Sequence, residues 1–298
     1  MRSARRGRRY WWKLGIFLGI SLSFALAGLT IYAAYAQTQT FLRPPRHTAN
    51  GDLLRAQGIE FQTVELTTED GIRLHAWYTP PRNGMVILVA HGHAASIPED
   101  MYALFVRHGY GVIAWEFRAH GRSGGEFTSL GYYEMLDTKA ALDYALSQPV
   151  VRGVGGWGGS MGAATMILSA ARYPQIEAIV ADSSYNTLED ELNLRLPLPI
   201  IRGLTRAIAE IQTRSSLDDV RPVDAIARIS PRQVFIIQGM RDDAIPLESA
   251  RQLFEAAGEP RFIWTGEKAY HLNMFATYPA DYEELVIDFF NDALQIDQ

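Results

Sequence analysis

The stretch Gly-Gly-Trp-Gly-Gly-Ser-Met-Gly at residues 155–162 constrains this chain most, because the chemistry its pattern implies dictates what else must be present. Within it, Gly158-x-Ser160-x-Gly162 has nucleophile-elbow spacing, between a short apolar strand, Val154 to Trp157, and a helix that ends near Pro174. So sharp a turn strains the backbone at the serine and crowds the positions two to either side, hence Gly158 and Gly162. Gly162, Ala163 and Ala164 let the helix approach the sheet, and its N-terminus aims unpaired N–H groups and a positive partial charge at the serine oxygen. That suits a developing oxyanion. The same letters spell a rival. Gly153-x-Gly155-x-x-Gly158 satisfies the dinucleotide-binding fingerprint, with Asp182, 24 residues after its last glycine, as a ribose-binding acid. That fingerprint must follow a strand, and Pro149 interrupts the residues before Gly153.

The elbow makes a demand the rest of the chain can meet or fail. A serine hydroxyl is a poor nucleophile until a histidine takes its proton, and the histidine needs a carboxylate to fix its tautomer and stabilise the imidazolium. Of seven histidines only His271 lies downstream of the elbow, in a loop after the strand Arg261 to Thr265. Asp242 stands in the loop Gly239 to Pro246, after the strand Gln233 to Gln238, completing the chain order Ser, Asp, His. Asp243 would point elsewhere, and Asp182 comes one strand too early. The run Met85 to Ala90 reads as a strand buried on both faces, and it ends in His91-Gly92-His93. A turn there brings the N–H of His93 beside the elbow as an oxyanion donor. Read instead as a metal pair, H-x-H lacks a third ligand, so no metal site is expected.

Strands and helices alternate around these positions. Phe61 to Thr67 and Ile72 to Tyr78 read as a hairpin turned at Asp70-Gly71, Met101 to His108 as a helix, Gly111 to Phe117 as a buried strand, and Tyr132 to Ser147 as the next helix. Ile176 to Ala181 supplies another strand and Tyr282 to Leu294 a closing helix. The alternation predicts a mostly parallel sheet covered on both faces. It stops at residues 184–230, where short helices broken at Pro197, Pro199 and Pro222 read as a cap. The apolar cluster Leu196 to Ile201 either lines an acyl pocket over Ser160 or packs the cap on the sheet.

The two ends differ in charge. Residues 1–42 carry six Lys/Arg and no acid, leaving 22 basic against 33 acidic residues, a net of −11, which argues against nucleic acid as a partner. Leu14 to Ala36 is a run of 23 uncharged, mostly apolar residues, as a helix about 34 Å long and enough to cross a membrane. Tyr10, Trp11 and Trp12 flank it on the basic side, and Tyr32 and Tyr35 lie near the other. The expected plan is a basic cytoplasmic segment at 1–13, a signal anchor at 14–36, a tether at 37–54 and a domain at 55–298 on the outer face of the plasma membrane. Export is the alternative, since Ala34-Tyr35-Ala36 is a cleavage pattern and Arg8-Arg9 opens a twin-arginine-like signal. With no cysteine, thiolate chemistry and disulfides are excluded.

Taken with the pairs Asp70-Gly71 and His91-Gly92, the loop Arg118-x-His-Gly-x-Ser-x-Gly125, Gly158-Gly-Ser-Met-Gly162, Gly239-x-x-Asp242-x-x-Ile-Pro246 and His271, the chain resembles the α/β-hydrolase superfamily over about residues 55–295. The resemblance is to its serine aminopeptidase-like and acyl-hydrolase branch, which includes membrane-anchored members. It implies an eight-stranded sheet, no cofactor, Ser160 as nucleophile, Asp242 as acid, His271 as base, and the backbone of His93 and Met161 as oxyanion donors. At Glu116-Phe-Arg118-Ala119 the chain departs from the more usual Asp-x-Arg-Gly, in a structural loop. The expectation is a membrane-tethered serine hydrolase acting on esters, thioesters or amides of a small or lipid-like acyl substrate. The competing expectation is a catalytically silent domain that binds at the membrane surface.

Overall fold

Runs of five to seven residues bounded by turn residues become the strands of one sheet. They are β1 (Gln62–Thr67), β2 (Arg73–Thr79), β3 (Met85–Ala90), β4 (Gly111–Trp115), β5 (Gly153–Gly159), β6 (Ile176–Asp182), β7 (Gln233–Gly239) and β8 (Arg261–Gly266). The computed structural model describes residues 2–295. Met1 and 296–298, the extremes of the expected basic segment and catalytic domain, lie outside the described residues, as do the side chains of 1–9.

The eight strands lie in the order β1-β2-β4-β3-β5-β6-β7-β8. β2 is antiparallel to both neighbours, and every other pair is parallel. Parallel neighbours need crossovers. Two helices, α1 (Arg2–Leu42) and α2 (Asp52–Ala56), precede the sheet. The crossovers β3–β4, β4–β5 and β5–β6 contain α3 (Glu99–Arg107), α4 (Glu134–Ser147) and α5 (Met161–Arg172). Between β6 and β7 stand the cap helices α6 (Leu188–Arg195), α7 (Pro199–Thr213) and α8 (Pro222–Ala225). Then α9 (Leu247–Ala256) joins β7 to β8, and α10 (Met274–Thr277) and α11 (Pro279–Ala293) follow. This is the sheet the hydrolase resemblance implies.

Strand alternation gives the sheet two apolar faces. Val86, Leu88, Val154, Ile179 and Ile236 share one core with Ala141 and Leu142 of α4 and Ile167 of α5. Ile87, Val89, Val180 and Ile237 share the other with Leu104 and Phe105 of α3 and Val286 and Phe290 of α11. The loop after β4 is structural, as expected. Arg118 is buried and donates to Asp137 at 2.6 and 2.9 Å and to Asp70 at 2.7 and 3.1 Å. Ala119 sits at φ 60°, a left-handed conformation that explains why glycine is the usual residue there.

The expected tether over 37–54 is largely docked. Gln37 to Leu42 continue α1 without a break, and Ala34, Thr38 and Leu42, one helical face, are buried. Thr38 Oγ1 donates to Thr205 O, Arg43 donates to Gln212 Oε1, and Arg46 donates to the carbonyls of Gly121, Ser123 and Gly125. Glu99 accepts from the N–H groups of Asn50, Gly51 and Leu53. The polar composition that reads as a linker is a set of hydrogen-bonding groups matched to the domain. From Phe17 to Leu29, by contrast, α1 leaves Phe17, Leu18, Ile20, Leu22, Phe24, Leu26 and Leu29 exposed. Among the described residues it is the one helix long and apolar enough to cross a membrane.

Candidate active site

The elbow forms where β5 meets α5. Ser160 sits at φ 55° and ψ −118°, strained for a side-chain-bearing residue, and is held by its N–H on Asp182 O at 2.9 Å. A Cβ at Gly158 would stand 2.3 Å from Gly162 O, and one at Gly162 would stand 2.3 Å from Ala90 O. Both close approaches are to backbone, so neither neighbour can give way. The rival nucleotide reading fails here: Gly153, Gly155 and Gly158 all lie inside β5 rather than in a turn beyond it.

Three distant side chains meet at the C-terminal ends of β5, β7 and β8. Ser160 Oγ is 3.1 Å from His271 Nε2, and His271 Nδ1 is 2.8 Å from Asp242 Oδ2. Asp242 Oδ1 accepts from the N–H groups of Ala244 and Ile245 at 2.9 and 2.8 Å, and its Oδ2 also accepts from Gln238 Nε2 at 2.8 Å. Burial alone would raise this carboxyl, but the His271 and backbone hydrogen bonds outweigh it and hold it below the usual carboxylate range. Asp242 is thus ionised at neutral pH. Asp243 takes no part in this chain of contacts.

Asp182 lies behind the site and does not reach His271. It accepts from Ser183 Oγ and Tyr282 OH at 2.9 Å each, and Trp157 Nε1 donates to Tyr282 OH at 2.9 Å. Burial pushes its carboxyl up to about 6 despite those donors. An acid weakened by folding carries no penalty below its unfolded value near 4, and a full one above its folded value near 6. Asp182→Asn should therefore gain stability relative to wild type as pH rises from about 4 to 6, by up to about 3 kcal/mol. Urea melts at the two ends of that window check it; a difference independent of pH would rule out titration of Asp182.

The turn after β3 is built of backbone and three imidazoles. Gly92 lies against Ser160, 3.4 Å from a Cβ placed on it to the serine Cβ, and His93 and Met161 line the same cleft. Met161 is the first residue of α5, so its N–H has no helical acceptor. His91 donates from Nδ1 to Gly92 O and accepts the Phe117 N–H at Nε2. His120 donates to Arg118 O and accepts the Ala94 N–H, while His93 Nε2 donates to Phe41 O at 2.8 Å. Burial pushes His91 down to about 3 and His120 to about 4, and lowers His93 as well. These rings hold the turn; the His91/His93 pair faces backbone partners instead of converging on an ion.

The cleft over Ser160, about 250 Å³, is walled by Phe41, His93, Leu130, Tyr185, Leu188, Glu191, Leu192 and Arg195, with Thr40 and Pro45 at its edge. Its cap wall comes from α6, where Leu188 and Leu192 share a helical face. The cluster Leu196 to Ile201 does neither thing expected of it: it does not line the cleft, and although Leu196 is buried, Leu198 and Ile200 are 61% and 71% exposed. Proline at 197 and 199 breaks the chain between α6 and α7, turning these side chains off the domain. Phe41, Glu191 and Arg195 carry no motif, and sequence reasoning missed them.

A model of the X-Pro dipeptidyl-peptidase (S15) family matches residues 31–196, over half of the chain and including the elbow. The chain belongs to that family. It is an α/β-hydrolase of the serine type. The Bacillus subtilis protein YqkD is 26% identical over 261 residues, 83% of this chain and 85% of its own length. WAV2 of Arabidopsis thaliana, an alpha/beta hydrolase domain-containing protein, is 24% identical over 212 residues, 66% of this chain and 67% of its own. The esterase Pf2001 of Pyrococcus furiosus superposes with a TM-score of 0.72 at 24% identity, over 84% of this chain and 99% of its own. That likeness is one of fold.

Proposed function

We propose that this protein is a membrane-tethered hydrolase that cleaves a carboxylic ester, thioester or amide through an acyl-enzyme on Ser160. The observation that carries the reading is the unbroken line of contacts Ser160 Oγ–His271–Asp242, at 3.1 and 2.8 Å, opening on an apolar-walled cleft. In it, His271 Nε2 takes the hydroxyl proton as Oγ bonds to the acyl carbon, and the N–H groups of His93 and Met161 receive the oxyanion. Collapse breaks the bond to the leaving group, which departs with the proton from His271. Water then repeats the cycle, His271 again as base, and frees the acid and the serine. Asp242 stays ionised throughout and keeps the Nδ1 proton in place. Each oxyanion donor contributes on the order of 10² to 10³ in rate.

The basic segment at 1–13 keeps the N-terminus cytoplasmic, 14–36 spans the membrane, and the domain from 55 onward stands on the outer face. Two observations support a retained anchor over a cleaved export signal: Ala34-Tyr35-Ala36 lies within unbroken helix, and Ala34 is buried in the completed fold. The apolar cleft supports an acyl substrate. A second reading, a peptide with a free amino terminus as the family description suggests, is favoured by Glu191. It lines the cleft paired with Arg195, and its buried Oε2 has no hydrogen-bond partner among the described residues, a need that an ammonium entering beside it would meet.

A fluorophosphonate should label the folded full chain at Ser160 and leave Ser160→Ala unlabelled; no labelling of wild type would restore the silent binding domain. A panel of p-nitrophenyl esters of rising chain length against X-Pro anilides separates the two substrate readings, and Glu191→Gln should depress only the anilides.

A further inference from the structure

The anchor helix does more than hold the domain near a membrane. Thr38 Oγ1 donates to Thr205 O, and Thr205 Oγ1 donates to Ala34 O; farther along, Gln39 and Arg43 bond to Gln212. Both helices advance in the same direction between these two sets of contacts, so α7 lies alongside α1 and parallel to it. The N-terminal end of α7 therefore points back along the apolar span. Ile200 is five residues before Thr205, about 7.5 Å at 1.5 Å per residue, which puts it beside the turn of α1 from Leu29 to Ala33. That turn is inside the apolar stretch, and the side chains at this end of α7 are bare: Leu198 and Ile200 are 61% and 71% exposed. Tyr32 and Tyr35 stand exposed at the same end.

The same geometry fixes the depth of the cleft. Thr40, which lines it, lies four residues beyond Ala36, about 6 Å along the helix from the end of the apolar stretch. Phe41 supplies both a wall of the cleft and the carbonyl that holds the His93 imidazole. A bilayer's hydrocarbon gives way to some 5–7 Å of headgroup region on each side, the depth at which the ester groups of its lipids lie. An apolar face of this kind, continuous with a spanning helix, has one suitable partner.

We infer that the N-terminal end of α7, with Leu198 and Ile200, is a second membrane contact that holds the Ser160 cleft at headgroup depth, to receive the ester of a lipid from the bilayer itself. The inference rests on the reading of α1 as a membrane span. Ile211, at the other end of α7 beside the Gln39–Gln212 contact, is 77% exposed but belongs to the aqueous side.

The chain has no cysteine, so single introduced ones label cleanly. Full-length Leu22→Cys, Ile200→Cys and Ile211→Cys, each carrying a nitrobenzoxadiazole probe, are to be reconstituted in phosphatidylcholine vesicles containing spin-labelled phosphatidylcholine. The expected result is loss of most of the fluorescence at positions 22 and 200, and little at 211. Quenching at 22 but not at 200 overturns the second contact while leaving the anchor intact, and equal quenching at 200 and 211 overturns the orientation of α7. No quenching at 22 removes the anchor itself, and this inference with it.

Discussion

Ser160→Ala in the full chain should lower kcat by roughly six orders of magnitude on any ester the wild type turns over, leaving only the acceleration that binding and the oxyanion donors supply. The expectation comes from contact, since among the described residues Ser160 Oγ is the one hydroxyl on His271 Nε2. Asp242→Asn makes the sharper comparison, at about 10⁴ in kcat. The asparagine carbonyl can keep the bonds that Oδ1 accepts from Ala244 and Ile245, so the loop should hold its shape. Its amide would then face two groups that now donate to Oδ2, His271 Nδ1 and Gln238 Nε2. To accept that amide hydrogen the imidazole must move its proton to Nε2, where it can no longer take one from Ser160. Asp182→Asn, one layer back, should retain most of the wild-type rate. Burst kinetics with p-nitrophenyl butyrate measure all three; Asp182→Asn falling as far as Asp242→Asn would reassign the acid.

The sheet, and the meeting of Ser160, His271 and Asp242 at its rim, were legible in the sequence because each rests on local signals that the fold then has no freedom to contradict. Two glycines around a serine, a lone downstream histidine, and an aspartate at the end of the next-to-last strand leave one arrangement. Ser160, Asp242 and His271 meet as that arrangement requires. What escaped notice depends on pairings between distant segments with no signature of their own. Gln37, Thr38 and Gln39 look like linker residues until α7 is set beside them, and Phe41 becomes a cleft wall only because that docking fixes where α1 ends. The Leu196 to Ile201 cluster misled for a related reason: apolar composition says that a surface avoids water, and leaves open whether protein or lipid covers it.

Gly162→Ala should be among the most destructive substitutions of a single methyl group in the described residues. The added Cβ would stand 2.3 Å from Ala90 O and 2.6 Å from His91 O, and neither can swing aside as a flexible side chain could. Relief requires α5 to back away from β3, which carries Ser160 away from the turn that holds His93. The cost is expected to be at least about 3 kcal/mol of stability, at the upper end of what overpacking does, together with a large loss of kcat in whatever remains folded. Gly203→Ala tests whether burial is the cause. That glycine is exposed on α7 with no described residue beyond its own helix within 4 Å of an added Cβ, so alanine there should gain about 0.5–1 kcal/mol through backbone entropy alone. Thermal unfolding in detergent micelles, beside kcat on a soluble ester, separates the two. If both variants melted with the wild type, the approach of α5 to β3 would have slack that 2.3 Å does not allow. The strain at Ser160 would then need a different source from the backbone packed against it.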